Sequence, residues 1–159
     1  MMTTERKAEG KGVGLQGFSR IVEKDLFLFL LDHEVKRARR YQNFLSLLGI
    51  KLIPLPGGEE AGMEGSAQVM TGLLRDETRE SDFIGQGENN QLFLLLPYAD
   101  STVAGRVKSR FENVLKYCDF KEKGCEVRMD QACFPVQGTN PQELLESLGS
   151  GQTHRAYNA

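Results

Sequence analysis

Arg79-Glu80-Ser81-Asp82-Phe83-Ile84-Gly85-Gln86-Gly87-Glu88-Asn89-Asn90-Gln91-Leu92-Phe93-Leu94-Leu95-Leu96-Pro97 is the stretch that decides the fold. It reads as an exposed charged turn, a short strand Asp82–Ile84, a polar tight turn around Gly85–Gln91, and a second strand Leu92–Leu96 stopped by Pro97. The run Leu-Phe-Leu-Leu-Leu carries no polar alternation, so it predicts a strand covered on both faces. These two strands form a hairpin in the middle of a sheet. At the tip, Glu88, Asn89, Asn90 and Gln91 suit a solvated turn, because asparagine tolerates the left-handed backbone of tight hairpins.

Upstream of the hairpin, Leu26, Phe27, Leu30, Leu31, Val35 and Ala38 recur at three- and four-residue spacing, which predicts an amphipathic helix from about Val22 to Arg40. Lys36, Arg37, Arg39 and Arg40 at its end suit a helix C-terminus, and also form a candidate anion site. Phe44–Leu55 is apolar except for Ser46 and Lys51 and predicts a buried central strand. Glu59–Gly65 reads as a polar loop. A second helix covers Ser66–Arg75, with Val69, Met70, Leu73 and Leu74 at helical spacing.

Downstream, Asp100 or Ser101 caps a third helix to about Tyr117. Its inner face is Val103, Val107, Phe111, Val114 and Leu115, with Arg106, Lys108 and Arg110 on the other faces. Glu126–Phe134 predicts a strand ended by Pro135, with Cys125 and Cys133 on the face of Val127 and Met129. Thr139-Asn140-Pro141-Gln142-Glu143 resembles a helix start, with a polar cap and proline at the first helical position. Leu144, Leu145 and Leu148 form that helix's apolar side, and Gly149-Ser150-Gly151 closes it. The order helix, strand, helix, hairpin, helix, strand, helix implies an α/β or α+β sandwich, a central mixed β-sheet covered by helices.

At 159 residues the chain suits one domain. Residues 1–20 read as a flexible leader, 21–150 as the domain and 151–159 as a frayed tail. A net charge of −2 gives no global attraction for nucleic acid or an anionic membrane, so any anion site is a local cluster of cations. Cys118, Cys125 and Cys133 have neither CxxC spacing nor an even count, and both histidines stand alone. No disulfide framework or metal site is expected, and a reducing cytoplasm fits. No apolar run has the length of a membrane span, and no signal-peptide core is present.

The pattern resembles the GGDEF domain, the nucleotidyl-cyclase-like fold of bacterial diguanylate cyclases, over roughly Leu26 to Leu148. The resemblance rests on Arg37-Ala38-Arg39-Arg40-Tyr41 before the strand Leu45–Leu48, on Arg79–Asp82 through Leu94-Leu95-Leu96-Pro97, and on Ala132-Cys133-Phe134-Pro135 followed by Gly138-Thr139 and Glu143-Leu144-Leu145. It implies that Glu88-Asn89-Asn90-Gln91-Leu92 stands where the family carries its signature pentapeptide. There the two glycines admit nucleotide phosphates, and the two acidic residues supply metal binding and catalytic charge. Glu88 and Asn89 replace the glycines here, and Asn90 and Gln91 are uncharged amides. Lys51 falls on the family's other metal-binding aspartate, where an ammonium would repel a dication. Pro54–Gly65 offers no match to the family's guanine-recognising Asn and Asp, and its closing Lys and Arg are absent after Leu148. The resemblance therefore implies an inactive member: no catalytic residues, no metal and no cofactor.

In the family an Arg-x-x-Asp five residues before the signature forms an inhibitory site for the product, cyclic di-GMP. Arg79 and Asp82 match it, and Arg110 matches the second arginine on the following helix, with Arg106 one turn earlier. Guanidinium groups bind phosphate or the guanine Hoogsteen edge and stack on purines, while a carboxylate accepts from guanine N1–H and its amino group. The resulting expectation is a cyclic di-GMP receptor in bacterial second-messenger signalling, with a ligand-linked homodimer and an unidentified signalling protein as partners. The bland reading of Arg79 and Asp82 is a surface ion pair contributing about 0–1 kcal/mol. Two alternatives stand beside the receptor: a nucleotide-independent interaction or scaffold domain using the helix face Val22–Arg40 or the hairpin, and an enzyme with ligands displaced onto Glu59, Glu60 or Glu64.

Overall fold

A computed structural model describes residues 21–149; the expected leader 1–20 and tail 151–159 lie outside the described residues, as does Ser150. The elements are β1 (Ile21–Val22), α1 (Lys24–Tyr41), β2 (Leu45–Pro54), α2 (Glu60–Glu77), β3 (Phe83–Gln86), β4 (Gln91–Pro97), α3 (Ser101–Leu115), β5 (Cys125–Phe134) and α4 (Pro141–Gly149). One five-stranded sheet has the order β1-β3-β4-β2-β5. It is mixed, as expected. β1 runs parallel to β3, while β3–β4, β4–β2 and β2–β5 are antiparallel.

The sheet is covered on both faces, and that explains the absence of alternation in its two middle strands. Leu48, Ile50 and Leu52 of β2 face α2 and α3 together with Leu92, Leu94 and Leu96 of β4. Leu45, Leu47, Phe93 and Leu95 face α1 and α4, where they meet Phe27, Leu31, Val35, Leu144 and Leu148. Each fully buried side chain of this size contributes about 1.5–3 kcal/mol relative to exposure. The central position of β2 and β4 follows from that two-sided burial.

Several boundaries differ from the sequence expectation. α2 begins at Glu60 rather than Ser66 and runs on to Glu77, so Glu59–Gly65 is not a loop. The glycines that suggested a loop serve close approach instead. A Cβ on Gly62 would stand 2.2 Å from the Lys123 carbonyl oxygen, and one on Gly58 2.5 Å from that of Gly124. The hairpin strands are displaced to Phe83–Gln86 and Gln91–Pro97, because main-chain pairing carries Gln91 opposite Lys51 and Pro97 opposite Leu45. Val22 belongs to β1, a strand the sequence reading omitted. α3 stops at Leu115, capped by Asp100, whose carboxylate accepts from the Val103 N–H at 2.9 Å. Its buried face is Ala104, Lys108, Phe111 and Leu115, so Lys108 lies against the core rather than outward, 3.9 Å from the Glu112 carboxylate. Val103, Val107 and Val114 are only partly buried.

The start of α4 forms as the sequence indicated. The Glu143 N–H donates to Asn140 Oδ1 at 2.9 Å, and the Glu143 carboxylate accepts from both the N–H and the hydroxyl of Thr139. These bonds hold the Glu143 carboxyl below the usual carboxylate range, the Thr139 N–H contributing most. Cys125 and Cys133 are buried free thiols, Cys125 donating to Ser66 Oγ at 3.1 Å.

Candidate functional site

Two groups of residues singled out in the sequence come together in the fold, at opposite ends of β3. The first stands at the C-terminal end of α2. The turn from Arg79 to Asp82 is closed by the Asp82 N–H donating to the Arg79 carbonyl at 3.1 Å. In return the Asp82 carboxylate accepts from the Arg79 N–H at 3.1 Å and from the Arg79 guanidinium at 3.3 Å. The Asp82 side chain is only 4% exposed, whereas that of Arg79 is 61% exposed. A covered carboxylate therefore fixes the root of an arginine whose head remains in solvent.

Arg110 reaches the same end of α2 from α3. Its Nε lies 3.4 Å from the Glu77 carboxylate, and its guanidinium donates to the Glu77 carbonyl at 3.2 Å. Glu77, two residues before Arg79, is the member of this group that sequence reasoning missed. Its signal was an acid at the C-terminus of a helix, where the macrodipole disfavours it unless a cation compensates. Arg110 supplies that cation. Arg106 is exposed one turn earlier on α3, without the bonds that tie Arg110 to Glu77.

The second group is at the hairpin tip. Asn89 and Asn90 have φ of 54° and 63°, and the Gln91 N–H donates to the Glu88 carbonyl at 3.2 Å. Positive φ at both central residues is what a two-residue type I′ hairpin loop requires, and asparagine accepts it at low cost. Glu88 forms a 2.8 Å ion pair with Lys24 at the start of α1. That contact holds the Glu88 carboxyl below its usual range and raises the Lys24 ammonium, the hydrogen bond dominating both shifts. Leu92 is buried beneath the tip.

Strand register places Lys51 directly between Gln91 on β4 and Arg128 on β5. These three residues, with Asp130 and Leu148, line a hollow of about 190 Å³. A magnesium ion does not fit this donor set. An ammonium and a guanidinium flank the position, the adjacent amide is neutral, and Asp130 is the one carboxylate among the lining residues. Arg37, from the basic end of α1, is committed to Glu34 at 2.8 Å and to the Tyr98 hydroxyl at 2.9 Å, so it serves local packing. No described helix is long and apolar enough to cross a membrane.

Neither a protein-family model nor a curated protein matches the sequence. Solved structures do match the fold. A DGC protein from Thermotoga maritima is 17% identical, over 84% of this chain and 97% of that one, with a TM-score of 0.71. The active GGEEF domain of a diguanylate cyclase from Vibrio cholerae is 10% identical, over 86% and 91%, with a TM-score of 0.72. The coiled coil and GGDEF domain of DgcB from Caulobacter crescentus, in complex with c-di-GMP, is 8% identical over 86% and 77%, with a TM-score of 0.69. At these identities the likeness establishes architecture, and the architecture is plain: residues 21–149 have the fold of a GGDEF domain.

Proposed function

We propose that this chain is a catalytically inactive GGDEF-fold domain that binds cyclic di-GMP through Arg79, Asp82 and Arg110, with Arg106 adding attraction for phosphate. The observation that carries the reading is the convergence of Arg79 and Arg110 on one end of α2, each fastened by an acidic residue and each half or more exposed at its side chain. Two guanidinium groups held this way lose little freedom on meeting a planar, anionic purine nucleotide, and each offers bidentate donors. Asp82 anchors Arg79, and its remaining acceptor capacity serves a guanine edge when the Arg79 head turns toward ligand. Some proteins of this architecture are solved with cyclic di-GMP.

Loss of catalysis is supported by the row Gln91–Lys51–Arg128. Residues distant in sequence put positive charge and a neutral amide where the resemblance requires carboxylates around two dications. Calorimetric titration of cyclic di-GMP tests the reading, with GTP and Mg²⁺ in parallel. Micromolar or tighter binding of cyclic di-GMP, lost in Arg79→Ala and weakened in Arg110→Ala, is expected, together with no turnover of GTP. Wild-type protein that binds no cyclic di-GMP refutes the receptor. The protein is then a nucleotide-independent interaction domain.

A further inference from the structure

The two edges of the sheet are unlike. β1 is two residues long, whereas β5 at the other edge is ten residues long. A long edge strand is normally shortened, bulged or covered, because its outward N–H and C=O groups otherwise pair with another chain. In β5 the outward groups belong to alternate residues. Both ends are closed. The Cys125 N–H donates to the Phe120 carbonyl at 2.9 Å, and at the other end Gln137 Oε1 accepts from the Cys133 N–H at 2.7 Å while the Gln137 N–H donates to the Cys133 carbonyl at 2.8 Å. The same alternation turns the N–H and C=O of Val127, Met129 and Gln131 outward, and none of the described residues bonds them.

We propose that a second copy of this chain pairs antiparallel with β5, with the twofold axis at Met129, extending the sheet across two molecules without ligand. In this register Met129 faces its counterpart and Val127 faces Gln131, so the outward N–H and C=O of all three residues gain partners. The closed residues Cys125 and Cys133 then face one another, so no bond already made is broken. Shifting by two residues sets Gln131 against Cys125 or Val127 against Cys133, whose N–H groups are already given to Phe120 and Gln137, and leaves part of the edge unpaired.

The side chains choose the same register. Arg128 falls opposite Asp130 of the second copy, and the twofold repeats the pair, so opposite charges meet twice across the new ladder. In the monomer Arg128 leans on Glu126 of its own strand at 3.0 Å, with 45% of its side chain still exposed. On the other face of β5, a hollow of about 490 Å³ runs along the same edge, lined by Leu115, Cys118, Phe120, Val127 and Met129. Edge pairing alone falls short of the roughly 800 Å² per partner that stable dimers bury. Covering this hollow, whose apolar floor is rimmed by charged residues such as Glu112, Lys116, Glu122 and Glu126, supplies further area. The surface is separate from the Arg79 cluster, and the inference is independent of nucleotide binding.

Sedimentation equilibrium of the full chain, free of nucleotide, tests it. Wild-type protein is expected to be dimeric in the micromolar range. Arg128→Asp or Asp130→Arg alone should weaken dimerisation roughly tenfold or more by setting like charges opposite each other. The double swap R128D/D130R should restore it. Val127→Pro removes only an outward N–H, a placement that edge strands tolerate, and should give a folded monomer by circular dichroism. A wild-type monomer throughout the range, a dimer unaffected by Arg128→Asp, or a double swap that stays as weak as the single variants overturns the proposal. If Val127→Pro fails to fold, the charge swap alone decides.

Discussion

Replacing Asp82 with alanine separates the part of the Arg79 cluster that builds the turn from the exposed guanidinium proposed to meet a ligand. The carboxylate, 4% exposed at the side chain, accepts the Arg79 N–H at 3.1 Å and the guanidinium at 3.3 Å. Removing it leaves a part-buried N–H without that charged acceptor, a loss of about 1–3 kcal/mol. The ion pair adds little, because the Arg79 side chain is 61% exposed and such pairs contribute about 0–1 kcal/mol. Asp82→Ala should therefore destabilise the domain by about 2 kcal/mol, and Arg79→Ala by less than about 1 kcal/mol. Asp82→Asn keeps an acceptor for the N–H and should fall between them.

Urea unfolding followed by circular dichroism measures all three on one scale. Equal losses for Asp82→Ala and Arg79→Ala, or a neutral Asp82→Ala, would refute the assignment of the carboxylate to the turn. The ordering matters for function. Domains are stable by about 5–15 kcal/mol, so each variant stays folded at low temperature. Binding lost in Arg79→Ala with little stability change is then attributable to the guanidinium, and the extra effect of Asp82→Ala to the geometry it imposes together with the acceptor proposed for a guanine edge.

Gly85→Ala should cost about 3 kcal/mol by overpacking, measured by the same unfolding. Its Cβ would stand 2.2 Å from the ring of Phe27, which is fully buried and stacked on Phe93 at 5.5 Å between centroids. Within α2, Gly62→Ala should destabilise, because its Cβ would stand 2.2 Å from the Lys123 carbonyl oxygen. Gly72→Ala, with nothing within 4 Å, should stabilise by about 0.5–1 kcal/mol. A gain at Gly62 would show that α2 does not start where it is placed. Glu143 is held below the usual carboxylate range by Thr139, so its contribution is full above its unfolded value and is lost as pH falls through the lower folded value. The melting temperatures of wild type and Glu143→Gln should therefore converge in acid, and a constant difference down to the lowest pH would contradict the cap.

The middle of the sheet was legible because burial on both faces writes itself as unbroken apolar sequence in Leu92–Leu96 and in Leu45–Leu48. Asn140-Pro141 and Asp100 were legible because caps are local chemistry. The start of α2 was not. Gly58 and Gly62 look the same in sequence whether they free a loop or admit a backbone, and only the approach of Lys123 and Gly124 tells which. Lys108 was misplaced for a related reason, since helical periodicity alone does not show that a lysine, with its aliphatic stem, shares the buried face of Ala104 and Phe111. In the candidate site, Arg79 and Asp82 were singled out by the family resemblance and their register with the hairpin. Glu77 was not, because its partner Arg110 is 33 residues away and only tertiary packing brings α3 beside α2.

The two regions singled out by the sequence differ in how the fold holds them, and that difference bears on what each can do. β3 joins them over four residues, a span of about 13 Å. At one end Asp82 holds the turn at Arg79 and Glu77 at the end of α2 holds Arg110, while both guanidinium groups stay half or more exposed. At the other, Asn89 and Asn90 complete a two-residue loop, Glu88 is drawn to Lys24, and Lys51 sits between Gln91 and Arg128. Each of these residues satisfies a local demand of the hairpin or of its neighbour. The tip thus reads as a sequence settled on closing a turn, while the α2 end keeps two arginine side chains that are half or more exposed. The proposed ligand site is therefore placed at the end of β3 where two guanidinium groups stay exposed.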